Sequence, residues 1–166
     1  MNVITVEFRQ KTARRETILS YSAMTIAESI IRNHPAGLPT LSPMKLQKLI
    51  YYAHGWCLAL TGEPLVDEHF EAWDYGPVIS SLYHRLKGYG NTQIPLEQIR
   101  HAEPVGDKTT ALLDAIIRKY GKYSALELSD MTHQPGSPWA VSRKPGTNAI
   151  ISNETIMNSF KLLLNE

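Results

Sequence analysis

Apolar residues recur at intervals of three and four positions through residues 42–60, which gives the chain its clearest pattern. An α-helix places residues with this spacing on one side, so the stretch is predicted to form an amphipathic helix. Ser42 and Pro43 are typical of a helix start, and Gly62 is typical of a helix end. Aromatic residues widen the apolar side, which predicts that this helix lies at the centre of a domain. The core positions predicted for it are Leu46, Leu49, Ile50, Ala53 and Cys57.

Three polar residues of the same stretch, Lys45, Gln47 and Lys48, fall largely off the apolar side. They are therefore predicted to lie on the more polar side of the helix.

Local capping patterns mark further helices along the chain. Thr25–Glu28 and Ser124–Glu127 both fit a capping box, which predicts helices that begin at Thr25 and at Ser124. The second of these helices is predicted to end near His133, before a Pro- and Gly-rich loop that presents Trp139. Other helices are predicted to begin at Gly76-Pro77, at a capping Asp107, and at Ser152 or Asn153.

Alternation between the two faces of an extended chain predicts a short strand after the central helix. In this strand Phe70 and Ala72 face one way, whereas Trp73 and Tyr75 face the other. Weaker strand patterns occur near the N-terminus, over Val3–Phe8, and over residues 93–100. Together these elements predict a mainly α fold, a compact helical domain of about six helices with a small antiparallel β element.

The composition is that of an ordinary globular domain. The chain has 166 residues, of which 43% are hydrophobic and 20% charged, and this length can bury a core without metals or disulfides. Residues 1–23 are assigned to an N-terminal extension that forms a strand or an arm, and residues 24–166 to the helical domain. A single cysteine, no apolar run of about 20 residues and no apolar signal core predict a cytoplasmic protein.

Six histidines and one cysteine are the residues with the most obvious chemical potential. None forms a His-Glu-x-x-His or Cys-x-x-Cys pattern, so no metal and no cofactor are predicted. Cys57 lies near the C-terminal end of an apolar helix, whereas reactive thiolates favour helix N-termini or basic neighbours. His54 is predicted to be a packed or hydrogen-bonded ring. A hydrolase that uses His133 is the least favoured hypothesis, and the protein is predicted not to be an enzyme.

Two basic clusters give weak support to nucleic-acid binding. One lies in the extension, between Arg9 and Arg15, and the other is Arg143-Lys144. A charge run is usually a solvated surface, and the net charge of +1 argues against a dedicated DNA-binding protein. A DNA-binding regulator of its own operon is kept as the alternative function.

Several separated motifs, in a fixed order, resemble one protein family. They are KLQKLIYYA on the central helix, Glu71-Ala72-Trp73 on the strand, Tyr75-Gly76-Pro77 after it, and LSDMTHQPGSPW towards the C-terminus. Over about residues 24–165 the chain resembles the Panacea domain of SocA-like antitoxins and GepA-like phage-associated proteins.

The resemblance implies a mostly helical fold and an antitoxin of a bacterial or prophage toxin–antitoxin system. Its partner would be a cognate toxin encoded by an adjacent gene and neutralised by direct contact. In a SocA-like relative the antitoxin acts instead as an adaptor that delivers the toxin to a protease, such as a Clp-type machine. No membrane partner is implied.

Aromatic residues in the motifs are the candidates for binding this partner. Tyrosine and tryptophan anchor many interfaces because they bury a large area at a modest cost in entropy. The predicted partner-binding residues are Trp73, Tyr75, His133 and Trp139. For Trp73 and Trp139 a role in the scaffold is an equally good interpretation.

Overall fold

The computed structural model describes residues 4–5, 19–98 and 103–166. In these residues it has seven α-helices and one three-stranded antiparallel sheet, which confirms the mainly α fold with a small β element. Short 3-10 turns cover Lys87–Tyr89 and Leu96–Gln98. The helices are α1 (Ala23–Asn33), α2 (Pro43–Thr61), α3 (Ser80–Leu86), α4 (Asp107–Tyr120), α5 (Ala125–Thr132), α6 (Pro138–Ser142) and α7 (Asn153–Leu163). The strands are β1 (Phe70–Trp73), β2 (Gly76–Val78) and β3 (Ile150–Ile151).

Helix α2 forms the centre of the fold, and its ends are those predicted. The Ser42 hydroxyl accepts from the amide of Lys45, Pro43 occupies the first turn, and Gly62 ends the helix with a positive φ of 79°. Helices α1, α3, α4, α5 and α7 and strand β2 all pack against it. The predicted core residues Leu46, Leu49, Ile50, Ala53 and Cys57 are fully buried.

The prediction for the polar residues of α2 was wrong, because Lys45, Gln47 and Lys48 are all buried. The Lys45 ammonium donates to the carbonyl oxygens of Pro39 at 2.8 Å and Gly121 at 2.7 Å. A buried polar group is tolerated when it finds such partners. Lys45 therefore joins the loop before α2 to the end of α4.

Gln47 and Lys48 hold the chain that follows β1. The Gln47 side chain donates to the Ile79 carbonyl at 3.0 Å and accepts from the Ile79 amide at 2.9 Å. The Lys48 ammonium donates to the Pro77 carbonyl oxygen at 3.0 Å. The two side chains thus fix β2 and the start of α3 on the central helix.

Helix α1 begins two residues before the start predicted from the sequence. Ser22 is its cap and accepts from the amide of Thr25 at 3.2 Å, while the Glu68 carboxylate accepts from the amide of Ala23 at 2.8 Å. Glu28 is buried and pairs with the arginine one turn later, so the predicted capping box does not form.

The other capping predictions were mostly correct. Ser124 and Glu127 make both bonds of the predicted capping box, at 3.2 and 2.7 Å, and Ser152 caps α7. Asp107 is the first residue of α4 rather than its cap, which is Gly106.

Strand β1 lies at the centre of the sheet, in the order β2-β1-β3. Trp73 pairs with Gly76, and Phe70 pairs with Ile151 near the C-terminus. Phe70 and Ala72 share one face, as the alternation predicted, and the structure shows that this face is the buried one; Trp73 on the opposite face is half-buried. The sheet therefore joins the middle of the chain to the segment before α7.

Three local predictions were wrong where the structure describes them. Gly76-Pro77 lies in β2 instead of starting a helix, and α3 begins only at Ser80. Positions 93–95 form no strand, and 96–98 form a 3-10 turn. In Val3–Phe8, predicted as a strand or an ordered arm, positions 4 and 5 are helical and buried, which contradicts a strand there. The rest of that segment and the basic cluster between Arg9 and Arg15 lie outside the described residues.

The last residues of the predicted extension pack on the domain. The Tyr21 amide donates to the Leu65 carbonyl at 2.9 Å, and the Asp67 amide donates to the Tyr21 carbonyl at 2.9 Å. This parallel bridge leads directly into α1. No helix within the described ranges has the length and hydrophobicity that crossing a membrane requires.

Candidate functional site

The four residues predicted to bind a partner converge on the turn between β1 and β2. Trp73 ends β1, and Tyr75 lies in the turn itself. His133 follows the last residue of α5, and Trp139 lies in the short helix α6 rather than in the predicted loop. The tertiary fold thus brings together residues that lie up to 66 positions apart in sequence.

The backbone of this turn is held by side chains from α5 and from the segment between α5 and β3. Four consecutive carbonyl oxygens, those of residues 72–75, each accept a hydrogen bond from a different side chain. The bonds run from Arg143 Nη1 to Ala72 O (2.5 Å), from Trp139 Nε1 to Trp73 O (2.6 Å), from His133 Nε2 to Asp74 O (3.0 Å) and from Ser129 Oγ to Tyr75 O (2.9 Å). We call residues 72–75 with these four donors the clamped turn.

The donor side chains of the clamped turn also contact one another. The ring centroids of His133 and Trp139 lie 3.9 Å apart, and Arg143 Cζ lies 5.8 Å from the centroid of the Trp139 ring. Arg143 also pairs with the Asp74 carboxylate. These contacts bind the charge of Arg143 within the domain, where it stabilises the turn. The interpretation of Arg143-Lys144 as a DNA contact therefore loses support.

The exposure of the candidate side chains separates one of them from the rest. Trp73 is half-buried, donates from its indole to the Glu71 carboxylate at 2.7 Å and packs edge-on against Tyr83 at 4.8 Å. Trp139 is half-buried as well, and His133 bonds to two carbonyl oxygens. Tyr75, in contrast, exposes 65% of its side chain. The two indoles therefore stabilise the structure of the site, and Tyr75 is the ring that is mostly exposed to solvent.

Only glycine fits at position 76, directly after the exposed tyrosine. Gly76 has a φ of +99°, and a Cβ atom there would lie 2.5 Å from Thr132 Oγ1 and 2.9 Å from Lys48 Cε. The Thr132 hydroxyl cannot easily turn away, because it donates to the Ser129 carbonyl at 2.7 Å. Close approach of α2, α5 and the turn thus depends on the missing side chain.

Lys48 is a residue of this site that sequence reasoning missed. It is fully buried below the turn, and this burial lowers the pKa of its ammonium to about 7. The charged form is costly away from water, and the Pro77 carbonyl is its acceptor in the structure. Lys48 belongs to the KLQKL part of the family motif, which is the one sequence feature that singles it out. The hydrophobic pattern alone assigned it to the polar side of α2. Ser129 and Thr132, in the LSDMTH motif, were missed in the same way.

A family model described as "Antitoxin SocA-like, Panacea domain" matches residues 46–140, which contain most of α2, the whole clamped turn except Arg143, and the start of α6. The chain belongs to this SocA-like antitoxin family. It is also similar to Antitoxin SocA of Caulobacter vibrioides (strain NA1000 / CB15N), with 30% identity over 140 residues, 78% of this chain and 74% of that protein. No solved structure gives a significant match. Membership of an antitoxin family implies a toxin as partner.

A groove of about 670 Å³ opens beside the clamped turn of this SocA-like antitoxin. Its walls are the N-terminal half of α2, the turn, α3 with the 3-10 turn after it, and Leu126 of α5. Tyr75 and Leu126 line it with exposures of 65% and 62%. An exposed apolar groove of this kind is typical of a protein-binding or ligand-binding site.

A second cavity of about 580 Å³ lies on another part of the surface, over the aromatic residues of α2, α4 and α7. Its edge includes Leu162, which is 70% exposed. None of the four predicted partner-binding residues lines it.

Two other candidates for chemistry, His54 and Cys57, are enclosed by the domain. His54 accepts from the amides of Leu65 and Val66 at 3.3 Å each, bonds to Asn153 at 2.8 Å, and has its pKa lowered to about 4 by burial. Burial raises the pKa of the Cys57 thiol to about 11. Within the part of the chain that the structure describes, no three His, Cys, Asp or Glu side chains are grouped so as to hold a metal ion.

Proposed function

We propose that this protein neutralises a cognate toxin, encoded by an adjacent gene, by binding it directly through a surface centred on Tyr75. The observation that carries the proposal is the clamped turn, which holds an exposed tyrosine on a backbone fixed by four side chains. A contact residue that is already ordered loses little conformational entropy on binding, so more of its contact energy appears as affinity. Tyrosine is among the residues that most often dominate binding energy at interfaces.

The proposed action requires no reaction, cofactor or metal from the antitoxin itself. Lys48 and His54, whose pKa values burial lowers strongly, have their polar atoms bonded inside the domain. We place the action in the cytoplasm, which suits the unpaired thiol of Cys57.

Co-expression with the protein from the adjacent gene tests the proposal. Tyr75→Ala removes the exposed ring without touching the hydrogen bond that the backbone carbonyl of the residue accepts. We expect the variant to fold and to lose about thirtyfold in affinity for the toxin, as loss of an interface hot spot does, so that growth arrest returns. Leu162→Ala is the matched control, since it truncates an equally exposed apolar side chain at the second cavity.

Two results would contradict the proposal. Full protection by a folded Tyr75→Ala variant would remove the surface assignment. A neighbouring gene product that is harmless when it is expressed alone would remove the antitoxin function for this pair.

Delivery to a protease is the second mode by which a bound toxin is neutralised. The measurement that separates the modes is the half-life of the toxin in cells with and without a Clp-type protease. Neutralisation by contact, which we propose, leaves the half-life unchanged in both strains. An adaptor shortens it only where the protease is present.

Autoregulation through DNA is tested by a mobility shift on the promoter of the operon. Because the net charge is only +1 and Arg143 is bound to Trp139 and Asp74, we expect no shift at low salt, and the same assay tests the basic cluster between Arg9 and Arg15. A salt-dependent shift would instead support the DNA-binding alternative.

A further inference from the structure

We propose that the groove beside Tyr75 binds an acidic segment of the toxin, in which an aliphatic or aromatic side chain is flanked by carboxylates. This inference rests on the proposed function and specifies the chemistry of its partner. Two independent features of the groove support it, namely its apolar lining and the sign of the charge along one wall.

The apolar lining of the groove is the reason to expect an aliphatic or aromatic side chain as the anchor of the partner. Tyr75, Leu126 and Tyr83 all line the groove and expose 65%, 62% and 37% of their surface, respectively. Below them, Val78 and Leu82 are buried and give the groove an apolar floor. A volume of about 670 Å³ lies within the range of pockets that enclose apolar groups, so the groove has room for a partner side chain.

The positive charge of the α3 wall is the reason to expect carboxylates beside the anchoring side chain of the partner. From Ile79 to Leu96 the chain contains no Asp or Glu. Lys87, at the end of α3, lines the groove, while His84 and Arg85 are exposed on the same helix outside its lining. Neither Arg85 nor Lys87 forms an ion pair with any residue that the structure describes. This wall is therefore basic and uncompensated, and its field attracts an acidic partner.

The acidic residue that lines the groove does not cancel this charge. Asp74 lies on the opposite wall and is paired with Arg143 of the clamped turn. The buried Lys48 at the base of the groove adds no negative charge either. The groove as a whole thus favours carboxylates over cationic side chains.

A protein segment fits these features better than nucleic acid does. Phosphate backbones are bound mainly by arrays of Lys and Arg that follow their charges. Here a single exposed cation, Lys87, lines the groove, and the floor and the opposite wall present Leu and Tyr side chains to an apolar group.

Selection of random linear peptides displayed on phage tests the inference with the full-length protein as bait. We expect enrichment of peptides in which Asp or Glu flanks Leu, Phe or Trp, and weaker binding as salt is raised. Lys87→Glu should reduce the affinity of the selected peptides about tenfold, because it reverses the charge of the wall. Tyr75→Ala should reduce it as well.

Lys161→Glu is the matched control for the charge reversal. Lys161 and Lys87 are both exposed and both lie at the C-terminal end of a helix, but Lys161 is on α7 and does not line the groove. We expect Lys161→Glu to bind the selected peptides as the unchanged protein does.

Several outcomes would overturn the inference. These are no enriched peptide, enrichment of basic or uncharged peptides, equal binding by Lys87→Glu, or capture of a short DNA duplex that Lys87→Glu abolishes. The result is distinguishable from failure of the proposed function. If Lys87→Glu neutralises the toxin as well as the unchanged protein does, the antitoxin function stands and the assignment of the groove falls. If the neighbouring gene product is harmless, the antitoxin function falls, while the peptide selection still reports which peptides the groove binds.

Discussion

The indole N–H of Trp139 donates a 2.6 Å hydrogen bond to the carbonyl oxygen of Trp73, 66 positions away in the chain. This bond connects two motif tryptophans that both qualify as interface anchors by residue type. It shows instead that Trp139 holds the backbone on which Trp73 ends β1. Tyr75, two positions further on, exposes 65% of its surface, and this exposure is why we propose it as the contact residue.

Loss of this bond should weaken the domain. Trp139→Phe keeps an aromatic ring but removes the donor to the Trp73 carbonyl. We expect the free energy of unfolding to fall by about 1–2 kcal/mol, the usual effect of leaving a partly buried acceptor without its partner. Urea unfolding measures it, and an unchanged midpoint would show that water replaces the indole.

The fit at position 76 predicts a large effect of one methyl group. Gly76→Ala combines a positive φ of 99° with a Cβ atom 2.5 Å from Thr132 Oγ1, so we expect a loss of roughly 2–5 kcal/mol. Gly136→Ala is the control, because its φ is also positive at 78° but nothing lies within 4 Å of its Cβ. It should lose only the backbone cost, about 1–2 kcal/mol. Equal losses in urea unfolding would mean that the turn moves to accept the methyl group.

Burial of Lys48 predicts that stability rises with pH. Its pKa is about 7 in the folded chain and 10.5 as the ordinary value, so between these values the unfolded chain binds a proton that the folded chain does not. The free energy of unfolding therefore gains up to about 1.4 kcal/mol per pH unit over this interval. Lys48→Met should flatten the rise.

Lys48→Met and the unchanged protein should be compared between pH 7 and about 9. Above this range the buried Tyr51 and Tyr52, whose pKa values are raised, ionise more readily in the unfolded chain. Their ionisation lowers the free energy of unfolding as pH rises, which is opposite to the effect of Lys48. Lys45, with a pKa lowered to about 8 mainly by burial, contributes a rise of the same sign to both proteins. Parallel curves for the two proteins would contradict the assignment of the effect to Lys48.

His54 predicts a second pH dependence, on the acid side. Burial lowers its pKa from 6.5 to about 4, so as pH falls through this interval the unfolded chain takes up a proton that the folded chain does not. Stability from the neutral ring is present above pH 6.5 and declines towards pH 4. His54→Gln should remove this decline, whereas His69→Gln, at an exposed histidine, should keep it. Urea midpoints across the interval provide the measurement, and identical slopes for both variants would exclude His54 as the cause.

The sequence by itself determined the elements whose signals are local. The Ser42 cap with Pro43 and Gly62, and the capping box of Ser124 and Glu127, depend on bonds between residues a few positions apart. Such bonds can be read from spacing, and so can the alternation that puts Phe70 and Ala72 on the same face of β1. The mainly α fold followed from these patterns, whereas the family was identified by the resemblance of its motifs.

Only the tertiary structure decided which polar residues are buried and what the motif residues do. Lys48 finds its acceptor 29 positions away and Lys45 finds one 76 positions away, so a periodicity that ranks lysine as polar placed both on the wrong side. The start of α1 depended in the same way on Glu68, a partner from a distant loop. Spacing along a helix carries no information about a carbonyl oxygen that another segment supplies. The clamped turn, and with it the exposure of Tyr75, arises from such long-range bonds.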